Sequence, residues 1–255
     1  ADIPIGGVTR KVLMHAPKNG FFYVLDRANG KLISAKAYGR VSWATGVDLA
    51  TGRPIMNPQA NYSRTSKVWF GYPAMHGAHD WQPMSYDAKL GLVFIPLLEA
   101  GMPWQLNTSF KPHKLGWNTG VMGPGNGPIV EDPKILDAVR ASMKGWLMAW
   151  DPVKQAEAWR VPHPSLWSSG VLSTAGGLVF QGETEGAFNA YESATGRKLW
   201  SFDTQTAVMA APVTWEKDGV QYVTVEVGSG AVASIGGGPL SIDAEGRPLV
   251  INRSR

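Results

Sequence analysis

The chain has 255 residues, of which 44% are hydrophobic and 17% are charged, and its formal net charge is +4. The 30 glycines, 18 prolines and 11 tryptophans predict one large core built from short strands and turns. The absence of cysteine excludes disulfides, thiolate metal sites, thiol nucleophiles and C-x-x-C-H haem attachment within this sequence. Basic residues are scattered and apolar runs are short, so neither a nucleic-acid surface nor a membrane span is expected.

The first strongly patterned stretch is residues 16–32, APKNGFFYVLDRANGKL. Two Asn-Gly turn signals flank a run of strand-forming residues, which predicts a β-hairpin. Lys18 stands at the first tip, where turn chemistry alone predicts a solvated side chain.

An imperfect repeat recurs along the chain: an apolar pair, an acidic residue, a turn residue four positions later and then a new strand. The copies begin at residues 24, 85, 149 and 190, and we expect them to be in phase. The two clearest copies end at Trp159 and Trp200. Each such tryptophan is expected to pack on the neighbouring sheet. Ser34 occupies this position in the first copy, which predicts a weaker junction there.

The spacing of the copies predicts an all-β fold, a β-propeller with about four blades of four antiparallel strands, part of a larger ring. A separation of 41 residues fits one blade, whereas separations of 61 and 64 residues leave room for insertions near 53–80 and 99–145. Strand patterns at 91–97, 176–182 and 220–228 agree with this interpretation. We expect residues 1–255 to form a single partial propeller domain.

The second insertion contains the one helix that the sequence predicts. Asp132 is a suitable N-cap, Pro133 suits the first helical position, and the apolar residues that follow recur on one face. These apolar residues are Ile135, Leu136, Val139 and Met143. The helix is expected to cover one end of the sheets, and a lid over a site is the alternative.

The five histidines do not predict a metal centre. His76 and His79 are three residues apart, but they lie in a glycine-containing loop rather than on a helix. The sequence also has no G-x-S-x-G motif or phosphate-binding loop, so hydrolase and nucleotide-binding functions are not indicated.

The repeat pattern A-x-D-x-x-T-G-K-x-x-W resembles the tryptophan-docking motif of the quinoprotein alcohol dehydrogenases, and most closely their quinohaemoprotein branch. Segments such as HDWQPMSYDAKLGLVFIP and LWSSGVLSTAGGLVFQGETEGAFNAYESATGRKLW are also similar to family segments, in the family's order. The resemblance implies an eight-bladed propeller that binds pyrroloquinoline quinone (PQQ) and calcium in the periplasm. It also implies that this chain is the C-terminal half of that ring.

The same resemblance implies what lies outside this chain: the N-terminal half with the catalytic aspartate and the calcium ligands, and the cytochrome domain. No catalytic residue and no metal ligand is therefore assigned here, and the chain alone is expected to be inactive. A half-ring leaves the apolar faces of its two end blades without a neighbouring blade. The expected partner is therefore the N-terminal half or a second copy. An alcohol substrate and an acceptor such as a cytochrome c are implied as well.

Five residues are carried over as cofactor-binding candidates by the resemblance. Lys18 matches a Lys or Arg that binds the quinone oxygens, and Asp80-Trp81 matches an Asn-Trp pair at the quinone edge. Asp80 departs from the pattern, because a carboxylate near an anionic cofactor is unfavourable unless Lys18 pairs with it or it is protonated. Trp167 and Ala231 match positions that line the central channel and border the quinone. Core packing is the alternative for Trp81, and packing between blades is the alternative for Trp167.

A non-catalytic propeller that binds a protein partner is the competing hypothesis. It would preserve the docking repeat for packing, but it would not require Lys18 or the His-Asp-Trp loop.

Overall fold

The computed structural model describes residues 1–65, 67–112, 114, 118–122 and 133–228. Its first sheet is antiparallel and four-stranded, with the strands adjacent in chain order. The strands are β1 (Asp2–Ile5), β2 (Val8–His15), β3 (Phe21–Asp26) and β4 (Leu32–Ala37). Their turns use glycines at positive φ, among them Gly20 and Gly30, a conformation that other residues rarely adopt.

Residues 38–84 connect this sheet to the next one through short elements. They are the pair β5 (Ala44–Val47) and β6 (Pro54–Met56), a 3₁₀ turn (Pro58–Ala60), the short helix α1 (Tyr62–Thr65) and β7 (Trp69–Gly71). A loop that contains both His76 and His79 then leads into the second sheet.

The second sheet is interrupted between its two central strands. In chain order its elements are β8 (Ser85–Asp87), β9 (Leu92–Glu99), β10 (Met102–Trp104), helix α2 (Pro133–Ser142), β11 (Lys144–Asp151) and β12 (Ala156–His163). Strand β10 does not join this sheet but pairs with β7, with Met102 opposite Gly71. The two connecting segments, 38–84 and 100–143, therefore meet in one small ribbon.

Helix α2 matches the predicted helix, with Val139 buried and Met143 packed against the cluster around Leu98 and Leu166. The proposed N-cap, Asp132, lies outside the described residues.

The third sheet follows without interruption: β13 (Ser168–Ser173), β14 (Leu178–Glu183), β15 (Ala187–Glu192) and β16 (Lys198–Asp203). A hairpin of β17 (Val213–Lys217) and β18 (Val220–Thr224) comes next and turns at Asp218-Gly219. The all-β prediction is confirmed: the described residues form three four-stranded antiparallel sheets followed by this hairpin, and helices are few.

The prediction that all four repeat copies are in phase is wrong. Three copies lie at the turn between the third and fourth strands of a sheet, whereas the copy at Asp87 to Gly91 joins the first two strands of the second sheet. The acidic residue makes the same local hydrogen bond in both settings: the Oδ1 atoms of Asp26 and Asp87 accept from backbone N–H groups two residues later. The pattern therefore marks a tight turn but does not fix its place in the sheet.

Tryptophan docking joins the second and third sheets. Trp159 on β12 donates its indole N–H to the carbonyl oxygen of Ser193 over 3.1 Å. Its ring lies on Gly196, where a Cβ atom would approach it to 2.6 Å. Apolar clusters fill both junctions, around Phe22 and Ile95 between the first two sheets and around Phe94 and Tyr191 between the second and third.

Within the described residues, no helix is long and apolar enough to cross a membrane.

Candidate functional site

Lys18 lies in the tight turn between β2 and β3. Gly20 donates its N–H to the carbonyl oxygen of Pro17, and the Oδ1 atom of Asn19 accepts from the N–H of Phe21. The indole N–H of Trp43 donates to the carbonyl oxygen of Asn19 over 2.9 Å. These bonds fix the backbone of the turn, while the Lys18 side chain remains 57% exposed.

The loop after β7 passes directly against Lys18. The N–H of Ala78 donates to the carbonyl oxygen of Lys18, and Gly77 approaches so closely that a Cβ atom there would lie 2.5 Å from the Lys18 Cα. Gly77 also has a φ of +82°, so both the space and the backbone conformation require glycine. This contact brings Asp80 within reach of Lys18.

Lys18 and Asp80 form an ion pair. The Lys18 Nζ atom lies 2.8 Å from the Asp80 Oδ1 atom, and the Asp80 side chain is only 18% exposed. The pairing that the sequence analysis named as a condition for Asp80 is therefore present. An ammonium group has three donors, so two remain for a ligand after the bond to Asp80.

His79 connects the two segments that carry this pair. Its Nδ1 atom lies 2.7 Å from the carbonyl oxygen of Ala16, and its Nε2 atom lies 2.5 Å from that of Gln82. One buried imidazole thus spans the Lys18 turn and the end of the Asp80-Trp81 segment.

Trp81, which follows Asp80 in the chain, forms a stacked pair with Trp167. Their ring centroids are 5.2 Å apart with an interplanar angle of 30°, and Trp81 is 45% exposed. The structure therefore brings four of the five predicted residues, Lys18, Asp80, Trp81 and Trp167, into two neighbouring pairs. Ala231 lies outside the described residues.

Sequence reasoning missed His76, which adjoins the same site. Its ring centroid lies 5.2 Å from that of Trp167, and its buried Nε2 atom has no hydrogen-bond partner. Burial lowers the pKa of His76 to about 4; the charge of Asp80 opposes this effect and that of Lys18 adds to it. The imidazole is therefore neutral at pH 7. The sequence signal was its place three residues before His79 of the His-Asp-Trp loop.

These residues form a surface suited to a planar anion. The neutral His76 ring contacts Trp167 and feels the charge of Lys18, so a cation with spare donors and a partly exposed aromatic stack adjoin the same ring. Among the described residues, no group of three or more His, Asp or Glu side chains could hold a metal ion.

Comparisons with known proteins identify the architecture. Residues 143–223 match the family model for the β-propeller domain of glucose, ethanol and alcohol dehydrogenases that use PQQ. The third sheet and the strands beside it are thus similar to part of the propeller of these dehydrogenases.

More particularly, the chain is similar to the quinohaemoprotein alcohol dehydrogenases. It is 46% identical over 256 residues to quinohemoprotein alcohol dehydrogenase ADH IIB of Pseudomonas putida, covering 100% of this chain and 35% of that protein. It is 45% identical to the dehydrogenase subunit of the quinone alcohol dehydrogenase of Komagataeibacter europaeus, covering 91% of this chain and 31% of that protein.

Solved structures agree with the sequence comparisons. The chain matches ADHIIG of Pseudomonas putida HK5 with a TM-score of 0.82 and 46% identity, covering 90% of this chain and 34% of that one. It matches the enzyme of Comamonas testosteroni with a TM-score of 0.78 and 43% identity, covering 89% and 33%. The predicted resemblance is thus confirmed, and the chain spans about a third of the length of these relatives.

Proposed function

We propose that this chain forms one wall of the quinone site of a PQQ-dependent alcohol dehydrogenase, which oxidises alcohols to aldehydes or ketones. The observation that carries the proposal is the Lys18–Asp80 ion pair beside the Trp81–Trp167 stack, in a chain similar to quinohaemoprotein alcohol dehydrogenases. PQQ, when bound, would accept a hydride from the alcohol carbon.

The residues present fit this group. Lys18 would bind the ortho-quinone oxygens through its two unused donors, where a fixed positive charge stabilises developing negative charge. Trp81 and Trp167 would exclude water from the edge of the site. Asp80 would hold the Lys18 ammonium in place, although its carboxylate opposes part of the positive charge that Lys18 offers to an anion.

Further parts of the proposal rest on the family resemblance. They are a calcium ion and a catalytic aspartate supplied by residues outside this chain, a cytochrome c as electron acceptor, and a periplasmic location. We also propose that the chain is the C-terminal half of the propeller, within a single domain of residues 1–255 that has insertions near 53–80 and 99–145. It would then act with the N-terminal half or with a second copy.

The competing role, a protein-binding propeller without catalysis, is favoured by one feature only. Strands β16, β17 and β18 expose large apolar side chains, which would suit a protein partner. Missing blades of the same ring would cover these side chains equally well, so the feature does not require a scaffold role.

A titration of the protein as its gene encodes it with PQQ, in the presence of Ca²⁺, tests the proposal. Lys18→Ala is expected to weaken PQQ binding by about 10-fold to 100-fold, the effect of losing a hydrogen bond to a charged group. Lys18→Arg should retain most of the affinity. Lys36→Ala, which removes an exposed lysine on β4, is the matched control. Unchanged quinone absorption and turnover in Lys18→Ala would refute the assignment.

A second variant tests Asp80. Asp80→Asn replaces a carboxylate beside an anionic cofactor with an amide that can donate, so we expect PQQ to bind more tightly. The quinone titration measures this change, and weaker binding would show that the ion pair with Lys18 matters more than the repulsion.

A further inference from the structure

His79 is a buried histidine whose two ring nitrogens both face backbone carbonyl oxygens. The Nδ1 atom lies 2.7 Å from the carbonyl oxygen of Ala16, and the Nε2 atom lies 2.5 Å from that of Gln82. His79 is only 7% exposed, so water has little access to the ring. Both contacts are therefore direct contacts between the ring and the backbone.

The chemistry of the two carbonyl groups determines which nitrogens of His79 carry hydrogen. A carbonyl oxygen can only accept a hydrogen bond, whereas a neutral imidazole has one N–H group and one nitrogen that only accepts. In a neutral His79, one ring nitrogen would therefore direct its lone pair at a carbonyl oxygen, in a buried place where an unmatched polar group is costly. The imidazolium form has two N–H donors and satisfies both oxygens.

The titratable neighbours of His79 come from both segments that it joins. His15 and Lys18 lie on the first segment, and His76 and Asp80 lie on the second. Asp80 contributes the negative charge of this set and pairs with Lys18. Burial lowers the pKa of His15, and the charge of His79 adds to this effect. Burial also lowers the pKa of His76, to about 4. At neutral pH these two histidines therefore add no charge that would oppose an imidazolium.

The hydrogen bonds of the His79 segment continue towards Trp167. Gln82 is 1% exposed, and its Nε2 atom donates to the carbonyl oxygen of Ser168 over 3.4 Å. Ser168 directly follows Trp167 in the chain. His79 thus stands between the turn of Lys18 and a buried side chain that reaches the segment of Trp167.

We propose that His79 is a positioning residue of the quinone site, in which an imidazolium ring holds the Lys18 turn against the segment of Asp80 and Trp81. Each of its two N–H groups donates to one of the two segments. Lys18 keeps its place beside Asp80 because the backbone two residues earlier, at Ala16, is hydrogen-bonded to the ring. The role in quinone binding rests on the proposed function, whereas the two hydrogens on the ring do not.

Neutron diffraction from crystals of the PQQ-free protein, as its gene encodes it, locates these hydrogens directly. After exchange into heavy water near neutral pH, we expect deuterium on both ring nitrogens of His79. His76 is the internal control, because its neutral ring should carry deuterium on one nitrogen only. The measurement needs no variant, so a folding defect does not affect it. A single deuterium on His79 would overturn the proposal.

A PQQ titration of His79→Gln tests the positioning role. The glutamine NH₂ group can reach only one of the two carbonyl oxygens, so we expect PQQ binding to weaken about tenfold, within the loss expected for removing the Lys18 contact itself. In a Lys18→Ala background, the same substitution should cost less than about twofold, because both residues act through one contact. His15→Gln, at an exposed position of β2, is the matched control and should leave the affinity unchanged.

The two measurements distinguish a positioning role from a general effect on the fold. Equal losses of affinity for His79→Gln with and without Lys18 would refute the positioning role, because a general loss of structure does not depend on the lysine. An unchanged affinity in His79→Gln would refute it as well. If both ring nitrogens carry deuterium but PQQ does not bind, the proposed function fails while the imidazolium link between the two segments remains.

Discussion

Gly77 is the residue on which the geometry of the Lys18–Asp80 pair depends. Its lack of a side chain lets the 77–80 segment lie against the backbone of Lys18, and the hydrogen bond from Ala78 to Lys18 then fixes the register. The ion pair is half-exposed and contributes little to folding stability. Its significance is therefore positional rather than energetic.

We expect Gly77→Ala to destabilise the protein more than an alanine substitution at a glycine that has a similar positive φ but open space around it. A left-handed non-glycine residue costs about 1–2 kcal/mol, and overpacking against Lys18 adds about 1–3 kcal/mol. Gly52→Ala is the control, because Gly52 has a φ of +70° but open space around its position. Urea unfolding measures both. Equal losses would mean that the contact with Lys18 is easily relieved.

His76 gives the site a pH dependence whose sign can be worked out. Its pKa is lowered from 6.5 to about 4 by burial, so the unfolded chain binds a proton between these values and the folded chain does not. The contribution of neutral His76 to the free energy of unfolding is fully present above pH 6.5. It decreases by up to about 3 kcal/mol as the pH falls towards 4. His76→Phe, which retains a ring against Trp167, should remove this part of the pH dependence. Urea unfolding at pH 7 and pH 4 measures it, and identical pH profiles would contradict the assignment.

At the scale of elements, each junction between sheets combines the residue at the tryptophan position of one sheet with the turn residue of the next sheet. At the junction of the second and third sheets, the ring of Trp159 lies on the turn glycine Gly196. At the junction of the first and second sheets, the same two repeat positions hold Ser34 and Gln155. Gln155 is buried and adopts a positive φ of 52°. The Trp159 ring leaves no room for a Cβ atom at Gly196, whereas the turn of the second sheet has room for the Gln155 side chain.

The sequence reveals this docking because a tryptophan after an acidic turn is a chemically specific pattern. It did not reveal that the Asp87 copy lies elsewhere in its sheet, because Asp87 caps its turn with the same backbone hydrogen bonds as Asp26 does. Ile95 at the tryptophan position of that copy was the distinguishing signal. Lys18 and Asp80 could be named from motifs. A cavity lined by Lys18, Trp43, Tyr62, Trp69 and Trp104 could not, because the pairing of β7 with β10 brings its walls together from distant parts of the sequence.

Two tryptophans at the same repeat position provide a test of docking. Trp159→Ala should cost about 3–5 kcal/mol, the range for removing a well-packed aromatic side chain, and it also leaves the Ser193 carbonyl without its donor. Trp200→Ala in this 255-residue chain should cost about 0.5 kcal/mol or less, because Trp200 is 48% exposed. Thermal or urea unfolding distinguishes them, and equal costs would refute the docking role of Trp159.

At the scale of the whole molecule, the apolar surface is unevenly distributed. The last described strands, β16, β17 and β18, expose a series of large apolar side chains. They are Leu199, Trp200, Phe202, Val213, Trp215, Val220 and Tyr222. The first sheet differs from the third in the same way. No side chain covers its turn glycine Gly30, whereas the ring of Trp159 covers the equivalent Gly196 of the third sheet. Both ends thus have the form of blade faces without a neighbour.

We therefore expect the 255-residue chain to associate when it is produced alone. Exposed apolar area of this kind favours contacts that bury it, either with a second copy or with other blades of a propeller. Analytical ultracentrifugation of the isolated chain should show dimers or larger species. Phe202→Lys places a charge among these side chains at a position that is 57% exposed, and it should shift the distribution towards the monomer. Leu49→Lys, at an exposed position in the turn between β5 and β6, should not. A clean monomer of the unaltered chain, with no other polypeptide present, would count against an unpartnered blade face.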